Sequence, residues 1–147
     1  MQLSTRGRYA VMAMADLAGH SGGAGRGVAL AEIAERTQLS LSYLEQIFAR
    51  LRRRGLVISA RGPGGGYRLA KSADQTSVAD VVAAVDEPLR ATRCTGRAGK
   101  GCMLGGARCL THDLWEETGR RIVEYFASIS LADVANGRLR PGASAAA

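Results

Sequence analysis

Apolar residues recur at helical spacing through the first third of the chain and outline three helices. The first is predicted from Ser4, which is placed to cap it, to Gly19. A short helix follows in LAEIAERT at residues 30–37, and a longer one is expected from about Leu41 to Arg54. Because only the short turn QLS separates the last two helices, they predict a helix-turn-helix.

The pattern changes directly after this pair of helices. LVISAR has the β-branched and apolar character of a strand, GPGGG is typical of a flexible turn, and YRLAK predicts the returning strand. The resulting hairpin carries Arg61 and Arg68. A helix-turn-helix followed at once by a glycine-tipped basic hairpin is the order of elements in a winged helix.

Helical periodicity returns twice in the second half of the chain. VADVVAAVDE predicts a helix that Pro88 ends, and a long helix is expected from Thr111. Ser130 is placed to cap a last short helix, whereas residues 138–147 lack the apolar content to pack and are expected to be disordered. The long helix carries one apolar stripe, formed by Leu114, Trp115, Ile122, Tyr125, Phe126 and Ile129.

These elements predict a mainly α-helical fold with one small β hairpin. We divide the chain into a winged helix-turn-helix domain at residues 1–88, a loop at 89–112, a helical segment at 111–137 and the tail. A chain of 147 residues with 46% apolar composition can bury one core and leave a helix for a partner. No apolar run approaches the roughly 18 to 20 residues that span a bilayer, so we expect a cytoplasmic protein.

Positive charge is concentrated in the N-terminal half. Residues 1–70 carry ten arginines and four acidic residues, a net charge of +6 out of the total of +7. This concentration favours a polyanionic partner, with nucleic acid first and a membrane surface second. A basic face that serves only solubility is the alternative.

The third predicted helix has two faces. An apolar face of Leu44, Ile47, Phe48 and Leu51 should pack against the domain, and the outward face carries Ser42, Tyr43, Glu45, Gln46, Arg50 and Arg53. Such a face meets base edges in the major groove, where Gln pairs with adenine and Glu accepts from the cytosine amino group. Arg61 on the hairpin suits the negative potential of a narrow minor groove. The alternative is a solvated helix in which Ser42 and Glu45 form a capping box.

All three cysteines lie in one glycine-rich, basic segment. They form the pattern Cys94-x7-Cys102-x6-Cys109-x2-His112, which offers three thiolates and an imidazole. Structural zinc sites bring ligands in close pairs, and only Cys109 and His112 form one here. The wide spacing favours a larger body such as a two-iron, two-sulfide core, whose anionic complex suits a loop with five basic residues and no acid between Arg90 and Cys109. Zinc and three unrelated free thiols stay open as alternatives.

Enzymatic chemistry finds little support in the sequence. GAGRG and GPGGG do not match the dinucleotide-binding fingerprint, and no catalytic constellation is present. A thiol redox enzyme would need a low-pKa cysteine, and the chain has no C-x-x-C. A zinc-stabilised DNA-binding or interaction protein would keep the same fold but would not sense an iron-sulfur cluster.

Five stretches together closely resemble a winged-helix repressor family of iron-sulfur cluster regulators: LSTRGRYAVMAM, LSLSYLEQIFARLRRRGLV, RGPGGGYRL, AVDEPLRATRC and CLTHDLW. The resemblance covers roughly residues 1–137 and implies a homodimer, joined through the long helix, that binds a palindromic operator in double-stranded DNA. It implies a repressor of iron-sulfur cluster assembly genes, with cluster-donating scaffold proteins as further partners. Nitric-oxide-responsive or iron-responsive regulators of the same family are the alternative, and the histidine of CLTHDLW favours the assembly regulator.

The same resemblance implies the site residues. A [2Fe-2S] cluster would be held by Cys94, Cys102, Cys109 and His112, and DNA would be contacted by Ser42, Tyr43, Glu45, Gln46 and the wing residue Arg61. The cysteine spacings are longer than the x5 and x5 usual in the family. Because the inserted residues are rich in glycine, the longer loop adds little to the entropic cost of closing it.

Overall fold

The computed structural model describes residues 4–21, 26–85 and 101–139. This part of the chain contains six helices and a two-stranded antiparallel hairpin, which confirms the mainly α-helical fold class with a small β hairpin. None of the described helices is both long and apolar enough to cross a membrane. The elements are α1 (Thr5–His20), α2 (Leu30–Thr37), α3 (Leu41–Arg53), β1 (Val57–Ala60), β2 (Gly66–Leu69), a single 3-10 turn (Ala73–Gln75), α4 (Val78–Ala84), α5 (His112–Ser128) and α6 (Leu131–Ala135).

The core lies between α1, α3 and α4. The predicted apolar face of α3 is fully buried, as are four residues of α1 at helical spacing, so burial of these two stripes against each other stabilises the domain. The buried residues concerned are Ala10, Ala13, Met14 and Leu17 of α1 and Leu44, Ile47, Phe48 and Leu51 of α3.

An ion pair fixes α2 against α1. Arg36 donates two hydrogen bonds from Nε to the carboxylate of Asp16, at 3.0 and 3.1 Å, and a third from a terminal nitrogen at 2.8 Å. The Asp16 side chain is only 11% exposed, and its hydrogen bonds raise the pKa of Arg36 above the usual value. This charge-assisted contact holds the first helix of the helix-turn-helix at a defined angle.

The hairpin is anchored to the helices at its base and along one edge. β1 and β2 pair in a register that places Val57 opposite Leu69 and Ala60 opposite Gly66. Val28 forms a third, one-residue strand, with hydrogen bonds of 2.9 and 2.8 Å to Tyr67. Gly66 has φ +132°, and a Cβ there would lie 2.5 Å from the carbonyl oxygen of Val28, so only glycine allows this close approach.

The two short helices α4 and α6 begin next to each other, and both begin with the same sequence pattern. Ser77–Val81 and Ser130–Val134 both have the form S-x-A-D-V, and in each the serine and the aspartate form a reciprocal capping box. The repeat is only five residues long, so a search of the sequence for longer repeats does not find it. It joins the segment after α5 to the start of α4, because Ser77 and Ser130 form an isolated β-bridge.

Several predicted boundaries shift by a few residues. α4 is helical to Ala84, and the predicted end at Pro88 lies outside the described residues. Arg138, the first residue of the predicted disordered tail, still donates its amide to the carbonyl of Asp133 at 2.9 Å. Residues 140–147 lie outside the described part of the chain.

Candidate DNA interface and cluster site

The N-terminus of α3 presents polar side chains to solvent. Ser40 caps the helix by accepting a hydrogen bond from the Tyr43 amide at 3.2 Å, so the N-cap lies two residues before Ser42. The alternative capping box between Ser42 and Glu45 is therefore wrong. Ser42, Glu45 and Gln46 are all exposed, which leaves their side chains available to base edges.

Tyr43 departs from the outward face that the helical pattern predicts. Its ring is half-buried and meets the ring of Tyr9 on α1 edge to face, with centroids 6.0 Å apart. The Tyr43 ring therefore packs against the domain instead of pointing into solvent. Arg50, also predicted to face outward, is half-buried and has interaction partners within the chain.

The wing stands beside the recognition helix. Arg61 is exposed at the start of the glycine-rich tip, where Gly62 and Gly64 adopt positive φ values of +93° and +75°. A long contact of 3.5 Å between a terminal nitrogen of Arg52 and the hydroxyl of Ser59 links α3 to β1. This contact therefore links the wing to α3, the helix that carries the exposed polar residues.

The second half of the cysteine loop folds into a compact turn. The Gly101 amide donates to the carbonyl of Gly106 at 2.9 Å, and the Met103 amide donates to the carbonyl of Ala107 at 3.1 Å. Gly105 and Gly106 have φ values of +94° and +85°, which side chains other than glycine rarely adopt. The residues between Cys102 and Cys109 are therefore contained in a turn that returns the chain to Cys109.

This turn brings a backbone donor to a cysteine sulfur. The amide of Cys109 lies 3.4 Å from Sγ of Cys102 and donates to it. Sγ of Cys109 lies 3.6 Å from the hydroxyl oxygen of Thr111, and neither of the two described cysteines is in a disulfide. Cys94 lies outside the described residues.

His112 is the first residue of α5 and is 4% exposed. Among the described residues, its Nδ1 is one of only two buried side-chain nitrogen or oxygen atoms without a hydrogen-bond partner; the other is Nε of Arg68. Nε2 is 3.9 Å from a carboxylate oxygen of Glu116, one turn along the helix. A metal-ligating imidazole commonly turns its second nitrogen toward a carboxylate, and His112 has its Nε2 on the side of Glu116 and its Nδ1 unpartnered. The i, i+4 spacing of Glu116 is a signal that sequence reasoning missed.

Among the described residues, the two cysteine sulfurs and the His112 imidazole do not form one group of metal-ligating atoms. A tetrahedral zinc ion would require its ligand atoms to lie within about 4 Å of one another. In the described part of the chain the metal-ligating atoms that gather within 4.8 Å are those of His112, Asp113 and Glu116, and neither sulfur belongs to that group. Asp113 is moreover engaged by Arg108 at 3.0 Å. Cysteine sulfurs and an imidazole are ligands that iron-sulfur clusters take in proteins, so the types of donor present fit such a cluster.

A helix-turn-helix whose second helix exposes polar side chains beside a basic wing defines a winged-helix DNA-binding transcriptional regulator. The chain belongs to the Rrf2 family, described as iron-dependent transcriptional regulators, whose family model matches residues 3–137. Its relatives are transcriptional regulators rather than enzymes.

Over the aligned residues, more than half of the positions are identical between the chain and its named relatives. The HTH-type transcriptional regulator IscR of Photorhabdus laumondii is 54% identical over 138 residues, which cover 94% of this chain and 81% of the relative. IscR of Sodalis glossinidius is 55% identical over 135 residues, covering 91% of this chain and 78% of the relative.

Solved structures of similar proteins have the same architecture. T. potens IscR is 35% identical with a TM-score of 0.72 and coverage of 97% and 94%. The global cysteine regulator CymR of B. subtilis is 29% identical with a TM-score of 0.73 and coverage of 93% and 98%.

Proposed function

We propose that this regulator senses a [2Fe-2S] cluster held by Cys94, Cys102, Cys109 and His112 and represses genes of iron-sulfur cluster assembly. The observation that carries the proposal is the buried, unpartnered Nδ1 of His112 beside a turn that directs the Cys109 amide at the Cys102 sulfur. The family's iron dependence and the IscR name of its relatives support an iron-sulfur cofactor.

The local chemistry also favours an anionic complex. His112 opens a helix of 17 residues, whose N-terminus carries a partial positive charge, and Arg108, which pairs with Asp113, lies next to the Cys109 ligand. A bound cluster would supply one-electron redox chemistry. The chain would supply the thiolates, the imidazole and the hydrogen bonds that hold the sulfurs in place.

DNA would be read by α3 and the wing of each protomer. Ser42, Glu45 and Gln46 are exposed at the start of α3, where a recognition helix meets base edges. Tyr43, with its ring against Tyr9, is suited to reach a phosphate with its hydroxyl rather than to enter the groove with its whole side chain. Arg61 would contact the backbone or the minor groove, and a protein that acts on chromosomal DNA would work in the cytoplasm.

The two sites are connected through α5. This helix begins at the proposed ligand His112, and the segment that follows its end at Ser128 pairs with the start of α4 in the DNA-binding domain. Cluster binding that orders the loop would therefore bias the position of α5 relative to the winged helix. DNA affinity changes only to the extent that cluster and operator prefer the same conformer.

The proposed regulator is a homodimer that binds a palindromic operator. α5 exposes Leu114 and Tyr125 at 58% and 57%, and Tyr125 also borders an apolar hollow of about 360 Å³ whose lining includes Met12 of α1. Charged residues lie on the same helix, where hydrogen bonds from Arg120 and Arg121 lower the pKa of Glu117 to about 2. A second copy of the chain would cover these exposed apolar side chains. Sedimentation at micromolar concentration should give a dimer, and a monomer would contradict this part of the proposal.

Anaerobic purification followed by visible absorption and analysis of iron, sulfide and zinc tests the cofactor. We expect a coloured protein with iron and sulfide, and loss of both when Cys94, Cys102 and Cys109 are replaced together by alanine. Leu104→Ala is the matched control, because this fully exposed side chain lies in the same turn and contributes no ligand. Cluster-donating scaffold proteins would be the source of the cluster in the cell.

Operator binding by the same proteins tests sensing. The triple cysteine variant should differ from the unmodified protein in its choice of promoters, whereas Leu104→Ala should not. A colourless zinc protein, or equal binding of every promoter by all variants, would contradict the proposal. The first of these outcomes would favour the zinc-stabilised DNA-binding protein instead.

A further inference from the structure

Thr111 occupies the N-cap of α5 but does not cap it. The serines that precede four other described helices each accept a hydrogen bond from a backbone amide of the first turn, at 3.1 to 3.3 Å. Those serines are Ser4, Ser40, Ser77 and Ser130. Thr111 makes no such bond, and its backbone at φ −101° and ψ 10° differs from the extended conformation of the four serines.

The hydroxyl of Thr111 is directed to sulfur instead. Its oxygen lies 3.6 Å from Sγ of Cys109, within hydrogen-bond distance for a sulfur acceptor. A threonine at an N-cap ordinarily stabilises its helix through the hydroxyl, so α5 forgoes that stabilisation here. Because a thiolate is a better acceptor than a thiol, the contact is strongest when Cys109 is deprotonated, as a metal-bound cysteine is.

We propose that Thr111 is a positioning residue that donates its hydroxyl proton to the Cys109 sulfur and thereby raises the reduction potential of the cluster. The inference rests on the proposed function. A hydrogen bond withdraws electron density from the ligating sulfur and so favours the more negative, reduced state of the complex. In the step concerned, a one-electron reductant adds one electron, no bond is formed or broken, and the proton stays on the threonine oxygen.

The experiment compares the cluster-loaded wild type with three variants. Thr111→Val removes the hydroxyl at nearly constant shape, and Thr111→Ser keeps it. Thr118→Val is the matched control on the same helix, since the Thr118 hydroxyl donates to the carbonyl of Leu114 at 2.8 Å. Midpoint potentials are measured anaerobically against redox mediators by visible absorbance, and iron–sulfur stretching frequencies by resonance Raman spectroscopy.

We expect Thr111→Val to have a more negative midpoint potential and altered stretching frequencies, while Thr111→Ser and Thr118→Val stay at the wild-type values. Wild-type values for Thr111→Val would overturn the inference. A wild type that carries no iron and sulfide would instead overturn the proposed function, so the two failures are distinguishable.

A second measurement keeps the test decisive if Thr111→Val does not retain a cluster. The cluster-free proteins are compared by thermal unfolding and circular dichroism. Since the hydroxyl does not cap α5, Thr111→Val should unfold at the wild-type temperature with wild-type helix content, and cluster loss would then support the role at sulfur. A lower unfolding temperature would identify the hydroxyl as a helix cap and overturn the inference.

Discussion

The amide of Leu131 donates a hydrogen bond to the carbonyl of Thr76 at 2.9 Å, and the amide of Val78 returns one to the carbonyl of Ile129 at the same distance. This reciprocal pair lies where α4 and α6 begin. It ties the segment after α5 to the winged helix by backbone bonds, which do not depend on particular side chains. The end of α5 is therefore connected directly to the segment that leads into α4.

Leu131→Ala tests the importance of this junction. The side chain is 0% exposed and belongs to the core cluster, so its truncation leaves a cavity at the point where α6 meets the domain. We expect the free energy of unfolding to fall by about 2 to 5 kcal/mol, measured by urea denaturation. Leu104→Ala, at a side chain that is 105% exposed, should change it by less than about 0.5 kcal/mol. Equal effects of the two substitutions would contradict the buried position of Leu131.

The capping box of α6 predicts a pH dependence. Hydrogen bonds from the hydroxyl and the amide of Ser130 favour the carboxylate of Asp133 and lower its pKa below the usual value of about 3.9. A lowered folded-state pKa contributes stability above the unfolded-state value and loses it as the pH falls through the folded-state value. Ser130→Ala should therefore raise the pKa of Asp133 and reduce the part of the acid-induced loss of stability that this group causes.

Carboxyl NMR across the acidic pH range measures this pKa directly. Ser77→Ala is the matched control, because it removes the equivalent serine from the other copy of the S-x-A-D-V repeat. It should leave the pKa of Asp133 unchanged. If Ser130→Ala leaves it unchanged as well, the hydroxyl is not responsible for the shift.

Residues that act through local sequence could be predicted, and those that depend on distant neighbours could not. Ser4 and Ser130 cap helices as expected, because capping involves only the next three residues. The position of Tyr43 depends on Tyr9, more than thirty residues earlier in the chain, and helical periodicity carries no information about that contact.

The cluster site shows the same division. The thiolate and imidazole donors are visible in the sequence, but the hydrogen bond from the Cys109 amide to the Cys102 sulfur arises only after two glycines with positive φ close the turn. The unused cap at Thr111 is likewise a matter of backbone angles. Threonine before a helix predicts a cap from sequence, so only the structure reveals that its hydroxyl turns to sulfur.

Glu45→Ala should relax the choice of operator. The side chain is exposed in the first turns of α3, where a carboxylate either accepts a hydrogen bond from a base or is left unpaired near phosphate. We expect the discrimination between operators that differ at the contacted base pair to fall by about 1 to 3 kcal/mol, measured by competition binding at fixed salt. Glu35→Ala, an exposed acid on α2, should keep the wild-type preference. Unchanged relative affinities for Glu45→Ala would remove Glu45 from the readout.

Arg61→Ala should weaken binding to all operators and flatten its salt dependence. Arg61 is exposed at the start of the glycine-rich tip, so its charge is suited to the phosphate backbone or to a narrow minor groove. Each phosphate contact contributes about 0.9 to the slope of log K against log salt concentration, so a dimer would lose about twice that. Arg138→Ala removes an equally exposed arginine far along the chain and should leave the slope unchanged. Parallel salt dependences for wild type and Arg61→Ala would mean that the wing does not neutralise DNA charge, and binding would then rest on the recognition helix alone.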